Sequence, residues 1–252
     1  MRKYLLLIWL LLLACLPARA GLVSEKSEQN IGDQMSAQLE KEFPTTLDPR
    51  VEEIGERVVR VCNRQNLKYT FKVLENPEVN ALSIGGGYVY VFRGLLDLVQ
   101  TDDDMLAFVI AHEVAHVSQR HMARSLEREM VGNLLLGAIL IASKASTGTY
   151  NTVSIGWDVL LRGYSRTYEF EADRVGMDYV IKSGYNPEGA NKMFNYFKKG
   201  ETTPKIFAIL ATHPPTDKRI EQLQTVYADQ FTQAQALGEI DFARRPQLKK
   251  NI

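Results

Sequence analysis

The chain has 252 residues, 45% of them hydrophobic and 24% charged, which supports a buried core and argues against a disordered or low-complexity segment. Lysine plus arginine and aspartate plus glutamate each number 30, so no basic field exists to hold nucleic acid. With no internal repeat visible, the pattern favours one compact domain over residues 21–242 and a polar, disordered tail over 243–252.

Arg2 and Lys3 precede an apolar run from Tyr4 to Leu16, and Ala18-Arg19-Ala20 supplies small residues before Gly21, the pattern of a cleaved export signal over residues 1–20. The run is shorter than the roughly twenty residues a bilayer span requires, which disfavours a retained anchor. Leu12-Leu13-Ala14-Cys15 also resembles a bacterial lipobox, so lipidation at Cys15 stays open beside simple cleavage. Either way the expectation is an exported, periplasmic protein. Loss of Arg2, Lys3 and Arg19 would leave the mature chain three charges negative. Cleavage at Gly21 leaves Cys62 alone, so no intramolecular disulfide could form and stability must come from core and metal.

Asp48-Pro49 starts a helix whose apolar positions are Val51, Ile54, Val58 and Val61, and Cys62 follows as a buried apolar residue. Tyr69 to Leu74 alternates as a half-buried strand should, and Tyr88 to Phe92 forms a second strand after Gly85-Gly86-Gly87. Thr101 is placed to cap the next helix, with Asp102, Asp103 and Asp104 near its positive end, and that helix is expected to run on to Arg124. Val131 to Ala142 is apolar on every side yet too short to span, which suggests a buried helix, a plug over a cleft or a membrane-touching hairpin. Lys144 to Asn151 reads as a loop. Helices follow over Thr167 to Lys182, stopped by Gly184, from Asn186-Pro187 to Lys199, and from Asp217 through Ile220, Leu223 and Val226. The expected class is therefore α+β, predominantly helical.

Inside the helix that Thr101 opens stands His112-Glu113-Val114-Ala115-His116. Four residues turn a helix by about 400°, so His112 and His116 share a face and can meet one zinc ion, while Glu113 is offset towards the role of general base. A third protein ligand must come from elsewhere. His121 is nine positions past His112, about half a turn out of phase on a continuous helix, which predicts that it faces away. The metzincin pattern needs glycine at position 119 and histidine at 122, where this chain has Gln119 and Met122. Glu169 is the better candidate; Asp173 lies one turn on, so one carboxylate can bind the ion while the other orients a ligating imidazole. Glu171 points away and is expected in solvent.

Taken together these residues resemble the gluzincin metallopeptidases that include the CAAX prenyl endopeptidase, the heat-shock protease HtpX and periplasmic outer-membrane quality-control proteases. The likeness runs from about Asn80 to Ile220. It covers Asn80-Ala81 with the glycine run before a strand, the His-Glu-Val-Ala-His helix, Glu169 followed by Ala172-Asp173, and Thr212-His213-Pro214-Pro215-Thr216-Asp217-Lys218-Arg219-Ile220.

The resemblance implies a zincin-like fold with a small β-sheet beside the histidine helix and one Zn2+ per chain. It makes His112, His116 and Glu169 the ligands and Asp173 the partner behind them. By the same likeness His213 and Arg219 line the cleft opposite the metal. Either could stabilise an oxyanion, and His213 could instead cap the zinc as a fourth ligand in a resting state. Asn80, Ala81, Leu82 and Ser83 would form the edge on which a polypeptide substrate adds in extended form. The implied function is a zinc endopeptidase acting on unfolded or misassembled envelope proteins, latent until activated by a partner the sequence does not name, with peripheral or outer-membrane association open. The rival is a chaperone-like binding protein with a structural or vestigial zinc site, against which stand Glu113 and the lack of cysteine in the motifs.

Overall fold

A computed structural model describes residues 21–142, 152–200, 207–213 and 217–238. The export segment, the Lys144 to Asn151 loop and the 243–252 tail lie outside the described residues. The first element, α1 (Glu25–Glu42), occupies a stretch to which the sequence patterns above assign nothing. Ser24 caps it by accepting from Ser27 N, and Ile31, Met35 and Leu39, four apart, form its buried stripe. Then come β1 (Thr45–Thr46), α2 (Pro49–Val59), β2 (Thr70–Leu74), β3 (Ala81–Ile84) and β4 (Tyr88–Phe92). The helix α2 starts as expected, with the Asp48 carboxylate accepting from Arg50 N and Val51 N, and Cys62 is a buried free thiol just beyond it.

The four strands lie in the order β1-β2-β4-β3, with β4 parallel to β2 and antiparallel to β3. Gly86 (φ 88°) and Gly87 (φ 97°) make the β3–β4 turn, a left-handed conformation that a Cβ would oppose. Alternation along β4 sends Val89 and Val91 to one face, Tyr90 and Phe92 to the other. The strand β2 keeps the expected half-buried alternation, with Phe71 and Val73 buried and Thr70 and Lys72 half-buried, until Leu74 enters the second core.

Nine helices complete the described chain: α3 (Arg93–Val99), α4 (Asp103–Ser118), α5 (His121–Ala142), α6 (Thr152–Arg162), α7 (Arg166–Lys182), α8 (Glu188–Gly200), α9 (Phe207–Thr212), α10 (Asp217–Val226) and α11 (Ala228–Gly238). The helix from Asp217 is thus not the final element. Among the described residues no helix is long and apolar enough to cross a membrane. Val131 and Gly132, which open the apolar run, are exposed within α5; the side chains beyond them lie outside the described set.

Two expectations for α4 are corrected. Its cap is Asp102, not Thr101: the Asp102 carboxylate accepts from Asp104 N at 3.1 Å and Met105 N at 3.0 Å. Nor does the helix continue to Arg124. It ends at Ser118, and Arg120 adopts φ 57°, so the chain turns before α5 begins. The turn is held by Glu28 of α1, buried at 2% exposure, which accepts two bonds from Arg64 (2.9 and 3.1 Å) and one from Arg120 (2.8 Å). Every residue of α4 from Met105 to Val117 is buried, because α2, α7, α8, β3 and β4 surround it.

Candidate metal centre

The helix α7 crosses α4 at Gly176. A Cβ there would lie 3.0 Å from His112 N and 3.1 Å from the Ala111 carbonyl carbon, tight enough that any side chain would have to push the two helices apart. The crossing brings the acidic face of α7 against the histidine face of α4. His112 Nε2 and His116 Nε2 stand 3.0 Å apart, with Glu169 Oε2 3.5 Å from the former and Glu169 Oε1 3.4 Å from the latter. His213, just past α9, places Nδ1 3.3 Å from His112 Nε2 and 3.0 Å from Glu169 Oε2. One donor atom from each of these four buried residues falls within 4.8 Å of the rest.

Ligands about 2 Å from a tetrahedral ion would be separated by roughly 3.3 Å, so donor-to-donor distances of 3.0 to 3.5 Å fit a metal of zinc's size and preference. Two imidazoles and a carboxylate, with a third imidazole in the remaining position, are also the right chemistry for it.

Behind His112, Asp173 Oδ1 lies 3.0 Å from Nδ1, and Nε2 faces the cluster. Arg219 holds Asp173 in a fork, Nε donating to Oδ2 at 2.6 Å and Nη2 to Oδ1 at 2.7 Å, while Nη1 lies 3.1 Å from Glu169 Oε2. Its guanidinium thus sits on the same carboxylates that face the histidines, and with His213 it lines the cleft beside them. Glu113 is 2% exposed; its Oε2 accepts from Ser83 Oγ at 2.7 Å, and its Oε1 is 3.5 Å from His213 Nε2.

Two further expectations are overturned. Because the chain turns at Arg120, His121 does not face away: it is fully buried, with Nδ1 2.8 Å from His116 Nδ1. Glu171 is not simply solvated either, since its Oε2 lies 3.3 Å from His121 Nε2 and accepts from Arg124 Nη1 at 2.9 Å.

Protonation follows from these contacts. Burial works to lower the pKa of His112, but hydrogen bonds to Asp173 and Glu169 outweigh it and raise it to about 10. Burial dominates at His116 and His121, each lowered to about 3. Burial opposes ionisation of Glu169, yet the His213 charge and three imidazole hydrogen bonds hold its carboxyl well below the usual range. Asp173 is lowered likewise by Arg219 against the cost of its burial.

The strand β3 lies at one edge of the sheet, pairing with β4 and packing on α4. Of the residues expected to touch substrate, Asn80, Ala81 and Ser83 are buried and Leu82 is half-buried. Asn80 Oδ1 accepts from Ala81 N, and Ser83 bonds Glu113, so both side chains are engaged within the protein. A narrow, mostly apolar cleft of about 20 Å³ opens beside Glu113 and His112, walled by Phe108, Met193, Phe194, Phe197 and Ile209, with His213 and Arg219 also on its lining.

A zincin-like architecture with paired helical imidazoles, a glutamate between them and a carboxylate from a second helix is the arrangement of a metallopeptidase. The chain belongs to peptidase family M48, whose family model matches residues 45–227. It is 31% identical over 207 residues to the putative beta-barrel assembly-enhancing protease of Vibrio cholerae, covering 75% of this chain and 42% of that one. It is 30% identical over 194 residues to the mitochondrial metalloendopeptidase OMA1 of Schizosaccharomyces pombe, covering 77% and 55%. Identity to the beta-barrel assembly-enhancing protease of Escherichia coli strain K12 is 30% over 213 residues, covering 77% and 42%. The chain spans about half the length of the curated relatives it matches.

Proposed function

We propose that this protein is a zinc-dependent endopeptidase that cleaves unfolded or misassembled polypeptides of the bacterial envelope after export. The observation that carries the reading is the convergence of His112, His116, Glu169 and His213 donors within 4.8 Å, with the Glu113 carboxylate beside them. Zinc held by His112, His116 and Glu169 would supply Lewis-acid chemistry, polarising a peptide carbonyl and making water acidic enough to give up a proton near neutral pH.

The chain's own groups do the rest. Glu113, steadied on Oε2 by Ser83, takes the water proton through Oε1 and passes it to the leaving amine. Asp173 and Arg219 keep His112 and Glu169 aimed at the ion. The backbone edge of β3 takes up an extended peptide without reading its side chains, which suits unfolded chain. His213, already among the ligand atoms, fits the role of a resting-state fourth ligand, so the resting enzyme is latent until His213 withdraws. The names of two relatives, which refer to assembly of β-barrel proteins, support an envelope substrate.

The test uses denatured casein as an unfolded substrate. His213→Ala should cleave it in the presence of zinc and stop on chelation, and the double variant carrying Glu113→Gln as well should retain zinc and cleave nothing. No cleavage by either the wild type or His213→Ala, or cleavage that survives Glu113→Gln, would refute the reading.

A further inference from the structure

Of the two histidines on α4, His112 has a carboxylate behind it; the group behind His116 is a third imidazole. We propose that His121 is a positioning residue for His116, the middle link of a chain from His116 through His121 and Glu171 to Arg124 that presents His116 Nε2 to a divalent cation. The proposal rests on the metal-centre reading above and deepens it.

The protons in this chain can be arranged consistently in one direction. An ionised Glu171 only accepts, so the His121 nitrogen 3.3 Å from its Oε2, Nε2, carries the hydrogen. A neutral His121 then offers a lone pair at Nδ1, and the His116 nitrogen 2.8 Å away, also Nδ1, must donate to it. That leaves the lone pair of His116 on Nε2, the atom 3.0 Å from His112 Nε2 and 3.4 Å from Glu169 Oε1. The carboxylate of Glu171 thus sets the tautomer of a histidine it does not touch. Arg124 holds Glu171 in place at 2.9 Å.

The ring planes are fixed as tightly as the protons. His121 is stacked on Tyr168 with centroids 4.5 Å apart and planes 5° from parallel, and His116 is stacked on Tyr164 at 4.3 Å and 19°. Arg124 and Arg128 lie over the Tyr168 ring at 4.4 and 5.2 Å, closing the back of the stack. A fully buried, polar ring used merely to fill space would be an expensive choice where leucine fits; a ring with both nitrogens engaged, one of them on a ligand histidine, is an orienting group.

The experiment measures zinc affinity of the purified full chain by competition with a chromophoric chelator, together with the visible spectrum of the cobalt-substituted protein. His121→Leu keeps apolar bulk and removes the acceptor; His121→Asn restores an acceptor oxygen near the place of Nδ1. His121→Leu is expected to weaken zinc binding by about 10- to 100-fold and to shift the cobalt band, with His121→Asn recovering most of both. Wild-type affinity in His121→Leu, or equal loss in the two variants, would overturn the proposal. If circular dichroism shows that His121→Leu does not fold, Glu171→Ala at the partly exposed end of the chain takes its place. A loss of zinc affinity there supports the proposal, and unchanged affinity overturns it. Failure of the wild type to take up zinc, or uptake indifferent to Glu169→Gln, would bring down the metal-centre reading itself and this proposal with it.

Discussion

Replacing Gly176 with alanine adds one methyl group, and two effects of opposite sign decide the outcome. Helix propensity alone favours the change by roughly 1 kcal/mol, because alanine loses less backbone freedom than glycine. Against it, the new Cβ would sit 3.0 Å from His112 N and 3.1 Å from both His112 Cα and the Ala111 carbonyl carbon. Comfortable separations are about 3.5–4.0 Å, so α7 must retreat from α4 by roughly half an ångström. None of the three neighbours is a flexible side-chain end; all belong to the backbone of a helix buried from Met105 to Val117. Overpacking of this kind costs about 1–3 kcal/mol, enough to cancel or exceed the propensity gain.

The larger consequence is at the metal. Glu169 and Asp173 ride on α7, His112 and His116 on α4, and ligand distances tolerate only about 0.2 Å of error. Gly176→Ala is therefore expected to lower zinc affinity by at least about tenfold while lowering the stability of the metal-free protein by no more than about 2 kcal/mol. Chelator competition and urea unfolding read the two quantities separately. A variant that gains stability and binds zinc as tightly as the wild type would show that the helix contact does not set the ligand geometry.

Arg219→Met leaves Asp173 and Glu169, each 2% exposed, without their cation and is expected to cost about 3–5 kcal/mol in chelator, less when zinc is bound and balances the charge. Urea unfolding with and without zinc checks this; equal stability in chelator would mean the fork does not hold the carboxylates. The metal-free protein should also be most stable near pH 6.5. His112, raised to about 10, contributes stability present in full below its unfolded value of 6.5 and lost as pH rises through 10. His116 and His121, lowered to about 3, contribute stability present above 6.5 and lost as pH falls towards 3, so two of the three histidines act on the acid side, where the lowered Glu169 and Asp173 add to them, and one on the alkaline side. Denaturation midpoints at about pH 4.5, 6.5 and 9 in chelator measure it, and a midpoint that rises on acidification contradicts the assignment.

Much of the centre was legible because its parts are local. Histidines four apart on a helix must share a face, and so must Glu169 and Asp173, whatever the helices pack against. Two of the four strands, too, showed, β2 in its alternation and β4 as an apolar run after the glycines, and the start of α2 in its cap. The N-terminal helix was harder: Ser24, Glu28 and the Ile31, Met35, Leu39 spacing were present, but among so many polar residues that the stripe is narrow. Ser83 reads as one more residue of a strand until β3 is laid against α4, when its hydroxyl meets Glu113.

What the sequence by itself determined was which side chains carry the chemistry and which of them share an element, since helical and strand periodicity follow from backbone geometry alone. Only the tertiary structure decided the distances between elements and the fate of His121. A left-handed Arg120 ends the helix two residues past its last regular turn, and no side-chain pattern announces a positive φ at arginine. The contacts that impose it, Glu28 with Arg120 and Arg64, join residues 92 and 36 positions apart, and pairings of that reach exist only once the chain has packed.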